Sequence, residues 1–250
     1  MSKIYIETNK HLGLLRELWS GLIEHSSEKI SEYGKFISYD QKEISVELIK
    51  IASSLKSLNI DGEPFVIQFI SSTDLAGTNI VADEFARSAA SLGMGPCLVI
   101  NCKKNSLKSL DYEQQKISIV QSIEFDHSIN KAVWKNTNEE EISYARLIDY
   151  NETWQKVYKL DLERILSEAK KHYKCIILDC PPLSEAPESA SLSLNADGTI
   201  LVLSAEITPR SAIIQARDSI INAGGNIIGI IFNQKTRYVP VLLQEYLVHP

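Results

Sequence analysis

The turn Ser71-Ser-Thr-Asp-Leu-Ala-Gly77, followed by Thr78 and Asn79, stands where a chain could hold phosphate groups. Before it runs Val66 to Ile70, apolar and rich in β-branched residues; after it Val81, Phe85, Ala89 and Leu92 recur at spacings of three and four. That is a strand, a turn the size of a phosphate loop and a helix, spread over Pro64 to Gly93. A loop of the form G-x-x-x-x-G-K-[ST] combines backbone N–H groups and a helix N-terminus for the phosphates with a lysine for charge and a hydroxyl for Mg²⁺. With Gly77 as the second glycine, Ser72 falls at the first, Thr78 at the lysine and Asn79 at the hydroxyl, so Gly77 alone meets the pattern. On the pattern by itself the stretch is an ordinary βα turn.

Other reactive side chains are sparse. Cys97 with Cys102, and Cys175 with Cys180, each bracket an apolar strand candidate. An extended chain holds the members of each pair roughly 16 Å apart, too far for one metal or one disulfide. Cys102 and Cys180 could meet only if their strands are neighbours; reduced cysteines packed at strand ends are the commoner arrangement. His11, His25, His127, His172 and His249 have no ligand-like spacing, and Glu139 to Glu141 reads as a solvated loop or helix start, so no metal site is expected. Lys103 and Lys104 lie just past the second apolar strand, where they could bring positive charge to the carboxyl ends of a parallel sheet.

The elements that must position the turn follow from the patterning of 250 residues, which suffice for a large core. Apolar runs CLVIN, CIILD, TILVLSA and NIIGIIFN alternate with helical patterns at Asp161 to Tyr173, near Glu188 to Leu194, and over Ser211 to Gly224. Strands apolar throughout and alternating with helices predict an α/β fold, a doubly wound, mostly parallel sheet flanked by helices. Residues 1–42 read as a helical extension with a stripe of Leu12, Leu15, Trp19 and Leu22, and residues 43–250 as the α/β domain. Residues 103–150 are the least readable. A composition 44% hydrophobic and 23% charged is ordinary for a soluble chain, and a net charge of -6 speaks against nucleic acid as a partner. No apolar run is long enough to span a membrane, and Met1 to Lys10 lacks the features of a signal peptide, so a cytoplasmic location without direct membrane insertion is expected.

The order of these features resembles the cytoplasmic kinase domain of bacterial tyrosine autokinases. These are deviant phosphate-loop ATPases, akin to the MinD/ParA type, which drive the making and export of capsular or exopolysaccharide. The resemblance runs from about Glu43 to the C-terminus. ISSTDLAGTNIVADEFARSAASLG is similar to the loop and its helix, with Ser71 and Gly77 in place. CLVINCKKN is similar to a second acidic motif, and KCIILDCPPL to the Walker B strand with its Asp-x-Pro-Pro, here Asp179, Pro181 and Pro182. Asp197-Gly198 and the TILVLSA and NIIGIIFN strands resemble the last repeat, where the family places an adenine-contacting asparagine at the position of Asn233. The resemblance implies a phosphate-loop NTPase-like domain of the SIMIBI class, a nucleotide site built on Gly77, Thr78, Asn79, Asp179 and Asn233, and ATP with Mg²⁺ as its ligands.

The departures fall on the charged groups. Thr78 replaces the loop lysine, Asn79 the hydroxyl, and Asn101 and Lys103 the two aspartates of the second acidic motif; Asp179 alone is kept. Phosphoryl transfer rests on positioning and charge stabilisation, and losing one stabilising group commonly costs about 10² to 10³ in rate. The family's tyrosine-rich acceptor tail is here TRYVPVLLQEYLVHP, with Tyr238 and Tyr246 among apolar residues. The expectation is a catalytically inactive, pseudokinase-like relative with no catalytic residue, no metal and no required cofactor. It would act by association with a membrane-spanning polysaccharide co-polymerase, an active kinase or a second copy of itself, reaching the inner face of the membrane through that partner. The alternatives are a nucleotide sensor without hydrolysis and a weak ATPase or kinase that binds ATP and Mg²⁺ through an unconventional loop.

Overall fold

The apolar runs become the centre of an eight-stranded sheet in this computed structural model, which describes residues 5–6, 41–58, 62–103, 119, 132–135, 141–148, 153–154, 157, 162–205 and 207–233. In chain order the elements are β1 (Tyr5–Ile6), α1 (Gln41–Leu58), β2 (Phe65–Ser71), a 3₁₀ turn (Asp74–Ala76), α2 (Thr78–Ser91), β3 (Cys97–Asn101), β4 (Val133–Lys135), β5 (Ile142–Arg146), α3 (Leu162–Lys170), β6 (Cys175–Asp179), a 3₁₀ helix (Pro187–Asn195), β7 (Gly198–Ser204), α4 (Arg210–Asn222) and β8 (Ile227–Asn233). The sheet order is β1-β8-β7-β2-β6-β3-β5-β4. Strands β8 through β5 in that order are parallel, and only the edge strands β1 and β4 run antiparallel.

Alternation along the strands divides the core between the two faces. Ile67, Phe69, Val99, Ile177 and Val202 pack with Leu48 and Ile51 of α1 and with Val81, Phe85 and Ala89 of α2. Val66, Ile70, Leu98, Ile176 and Leu201 pack on the other side with Ile165, Leu166 and Ala169 of α3 and Ala216 and Ile220 of α4. Val81, Phe85 and Ala89 of the predicted stripe on α2 are thus buried against the sheet, as are Ile165, Leu166 and Ala169 of α3, and the rings of Phe69 and Phe85 lie 5.2 Å apart at 53°. A tilted pair of this kind adds about 0.5–1.5 kcal/mol beyond the area it buries. The pattern near Glu188 to Leu194 forms a 3₁₀ helix, entered at Pro187.

A polar link crosses the apolar layers. Gln68, fully buried in β2, donates through Nε2 to the Ser189 carbonyl at 3.1 Å and to Cys180 Sγ at 3.4 Å, and accepts from Thr199 Oγ1 at 2.9 Å. Within the expected helical extension, the structure describes Tyr5–Ile6 as a strand paired with Ile230 and Gly229 of β8, and the start of α1. The leucine and tryptophan stripe of residues 12–22 and the tail after Asn233 lie outside the described residues.

Candidate functional site

Strand β2 ends at Ser71, and the chain must then turn into α2 without leaving the carboxyl end of the sheet. Gly77 makes that turn with φ 66° and ψ 37°, a left-handed conformation that costs other residues about 1–2 kcal/mol. Ser71 Oγ donates to the Thr73 carbonyl at 3.0 Å. The peptide N–H groups of Leu183 and Ser184 donate to the Ser71 and Ser72 carbonyls, at 2.9 and 3.2 Å. The Pro181-Pro182 turn therefore brings the segment after β6 back onto the loop. Ser72 Oγ and Thr73 Oγ1 are buried without a hydrogen-bond partner among the described residues.

The predicted site residues are placed unequally. Thr78 opens α2 and is buried at only 4% exposure, whereas Asn79 is exposed. Asn233, at the end of β8 and 8% exposed, donates through Nδ2 to the Ala76 carbonyl at 2.9 Å. A carbonyl can only accept, so the amide nitrogen must face it. The side chain that the resemblance assigns to adenine is here a tie between β8 and the loop.

Asp179 ends β6, level with Asn101 of β3 and Phe69 of β2, and is 3% exposed. Its Oδ1 lies 3.0 Å from Lys103 Nζ, an ion pair by distance whose angles are not those of a hydrogen bond, and it has no other partner among the described residues. Lys103 reaches back because Asn101 Oδ1 accepts its peptide N–H at 2.8 Å, a turn of the kind asparagine closes readily. Burial pushes the Asp179 carboxyl above the usual carboxylate range, the Lys103 ammonium pulls it down, and the charge of Asp83 raises it further. Asp83 on α2 is itself engaged by the Tyr144 hydroxyl at 2.7 Å and by Arg87 Nη2 at 2.9 Å.

Sequence reasoning placed Lys103 near the sheet's carboxyl end but did not pair it with Asp179, and it did not single out Asp83, Arg87 or Tyr144. Only part of the signal for the first lies in the sequence: Asn101 and Asp179 each end an apolar run and Lys103 follows one of them, whereas the pairing of those two strands comes from the structure. Lys104 lies outside the described residues.

The four cysteines do meet, across strands and not along them. Cys97 lies opposite Cys175 in the register of β3 and β6, and all four thiols are buried and unoxidised. A hydrogen bond to Cys97, with burial, raises the Cys175 thiol; burial first, then Cys180, raises that of Cys102. Thiols held so far from the thiolate are poor nucleophiles and poor metal ligands. His172 is exposed beside Glu168, and among the described residues no three His, Cys, Asp or Glu side chains cluster as a metal would need.

No family model matches the chain, and no curated protein sequence matches it. Solved structures do. The kinase domain of the Escherichia coli tyrosine kinase ETK superposes with a TM-score of 0.66 at 16% identity, covering 78% of this chain and 79% of that one. The VpsO kinase domain gives 0.63 at 18%, over 78% of this chain and 98% of the other. The septum site-determining protein MinD of Pyrococcus horikoshii, solved with Mg-ADP, gives 0.51 at 22%, over 74% and 78%. The fold is thus that of bacterial tyrosine kinase domains and MinD-like ATPases, the phosphate-loop NTPase-like α/β class expected from the sequence.

Proposed function

We propose that this chain is a catalytically silent relative of the bacterial tyrosine autokinases, one that works by binding a partner protein in exopolysaccharide or capsule synthesis and export. The observation that carries this reading is Thr78. At the position where a phosphate loop needs its lysine stands a neutral residue, buried at 4% exposure. Charge stabilisation is most of what such a site contributes to phosphoryl transfer. The partner is a membrane-spanning polysaccharide co-polymerase or an active kinase, with a second copy of the chain as the other candidate. No described helix is long and apolar enough to cross a membrane, so attachment at the inner membrane face would come from that partner.

A second reading is a sensor that binds nucleotide without hydrolysing it. In its favour, the hydroxyls of Ser72 and Thr73 are buried and unpartnered in the same turn that opens α2. The first N–H groups of a helix have no acceptor within it and suit an anion.

Titration of the purified protein with ATP, with and without Mg²⁺, following heat and phosphate release, separates the readings. No binding at millimolar ATP, together with capture by the cytoplasmic part of a co-polymerase, is the expected result. Binding without turnover favours the sensor. Phosphate release abolished by Asp179→Ala would refute both.

A further inference from the structure

The MinD structure was solved with Mg-ADP, which poses the question of whether the cleft of this chain suits a divalent cation. Its residues do not fit one. The carboxylate that would face the ion, Asp179, is 3% exposed and carries the Lys103 ammonium 3.0 Å from Oδ1. Asn101, level with Asp179 on the next strand, spends its side-chain oxygen on the Lys103 peptide N–H. Asp83 is held by Tyr144 and Arg87. Thr78 is buried at the helix start, and no cluster of three ligating side chains exists among the described residues.

We infer that Lys103 is a tethered cation, a side chain that takes the seat a divalent metal would need and keeps the carboxyl end of the sheet assembled without one. An ammonium already on a buried carboxylate opposes a doubly charged ion there, because the two cations repel in a poorly screened environment. A divalent ion would have to expel Lys103 into solvent and then find further ligands. The Asn101 turn makes that expulsion harder, since the backbone of Lys103 is fixed two residues from the strand end. The side chain of Lys103 is 25% exposed and that of Asp179 4%, so the pair lies largely out of water.

This inference rests on reading the cleft as a former nucleotide site, but its test involves no partner protein. Mn²⁺ is titrated into the wild type and Asp179→Asn, with water-proton relaxation reporting the bound ion, and melts are run with and without Mg²⁺. The wild type should take up no more Mn²⁺ than Asp179→Asn, and Mg²⁺ should leave its melting temperature unchanged. Lys103→Met should melt roughly 6–20 °C lower, the buried carboxylate having lost its counter-charge. Adding Asp179→Asn to Lys103→Met should recover most of that fall. Sub-millimolar Mn²⁺ uptake by the wild type that Asp179→Asn abolishes would overturn the inference, as would a Lys103→Met melt equal to wild type. If Lys103→Met does not fold, the two Mn²⁺ titrations decide alone. Loss of co-polymerase capture leaves these outcomes untouched, and Mn²⁺ uptake leaves the capture result untouched.

Discussion

Replacing Asn233 distinguishes a structural tie from a ligand contact. Its Nδ2 donates to the Ala76 carbonyl at 2.9 Å, with Asn233 at 8% exposure and Ala76 at none. Asn233→Ala removes the donor and strands a buried acceptor, a loss of about 1–3 kcal/mol. For a chain of this size each kcal/mol moves the melting temperature by roughly 2–4 °C. Asn233→Asp keeps the volume but sets an acceptor, charged at neutral pH, against the carbonyl, so it should cost more than Asn233→Ala. The loss should be local as well as global. Amides from Gly77 to Val81, whose first turn is anchored by the Val81 N–H on the Gly77 carbonyl at 3.3 Å, should exchange faster in both variants, while those of β6 keep their protection. Urea unfolding with an unchanged slope gives the global number, and residue-resolved hydrogen exchange gives the local one. The reasoning fails if Asn233→Ala unfolds within about 0.5 kcal/mol of wild type and the loop amides exchange as before. A fall in ATP affinity at unchanged stability would instead return Asn233 to the role its sequence position implies.

Asp179→Asn tests the electrostatics of the cleft through pH. With the folded carboxyl pKa raised by burial, Asp179 favours folding most below the unfolded value of about 3.9, and that contribution is lost as pH climbs through the folded value. Urea midpoints of Asp179→Asn should therefore improve relative to wild type from pH 4 to pH 7; a difference that does not vary with pH, or runs the other way, contradicts the assigned cause. Gly198→Ala would place a methyl 2.5 Å from Ile228 Cδ1, so β7 should lose about 1–3 kcal/mol, recovered in part by Ile228→Ala in a double variant measured by chemical denaturation. Phe69→Ala removes a fully buried ring packed on Phe85 and should cost about 3–5 kcal/mol in the same assay.

The central sheet was legible because its strands are buried on both faces and so read as unbroken apolar runs, Val66 to Ile70 and Cys175 to Leu178 among them. The helices of the two faces were legible where their inner stripes are long, as in Val81, Phe85 and Ala89. The edges were not. Val133–Lys135 is too short to show a period, and Ile142–Arg146 mixes Ser143 and Tyr144 with its apolar residues, so both disappeared into a stretch with no clear pattern. The loop's strand-turn-helix frame was visible from Gly77 and its neighbours, whereas the Lys103–Asp179 pair and the Asn233 tie were not. Those contacts depend on which strands become neighbours and on where each ends, and the sheet order sets both. The cysteines teach the same lesson, since separation along a strand says nothing about Cys97 facing Cys175 across one.

The buried amide of Gln68 bears on how this sheet finds its alignment. Parallel strands made of isoleucine, leucine and valine could slide past each other by two residues and still bury an apolar face, since the side-chain period is two. In the observed alignment Gln68 lies level with Thr199 and meets its hydroxyl, together with the Ser189 carbonyl. Moving β7 by two residues would set Leu201 at that level and leave the Gln68 side-chain oxygen without the donor it now has in Thr199, at about 1–3 kcal/mol. One polar side chain in a greasy strand thus acts as an index mark, penalising mis-threaded sheets that oily contacts alone would tolerate.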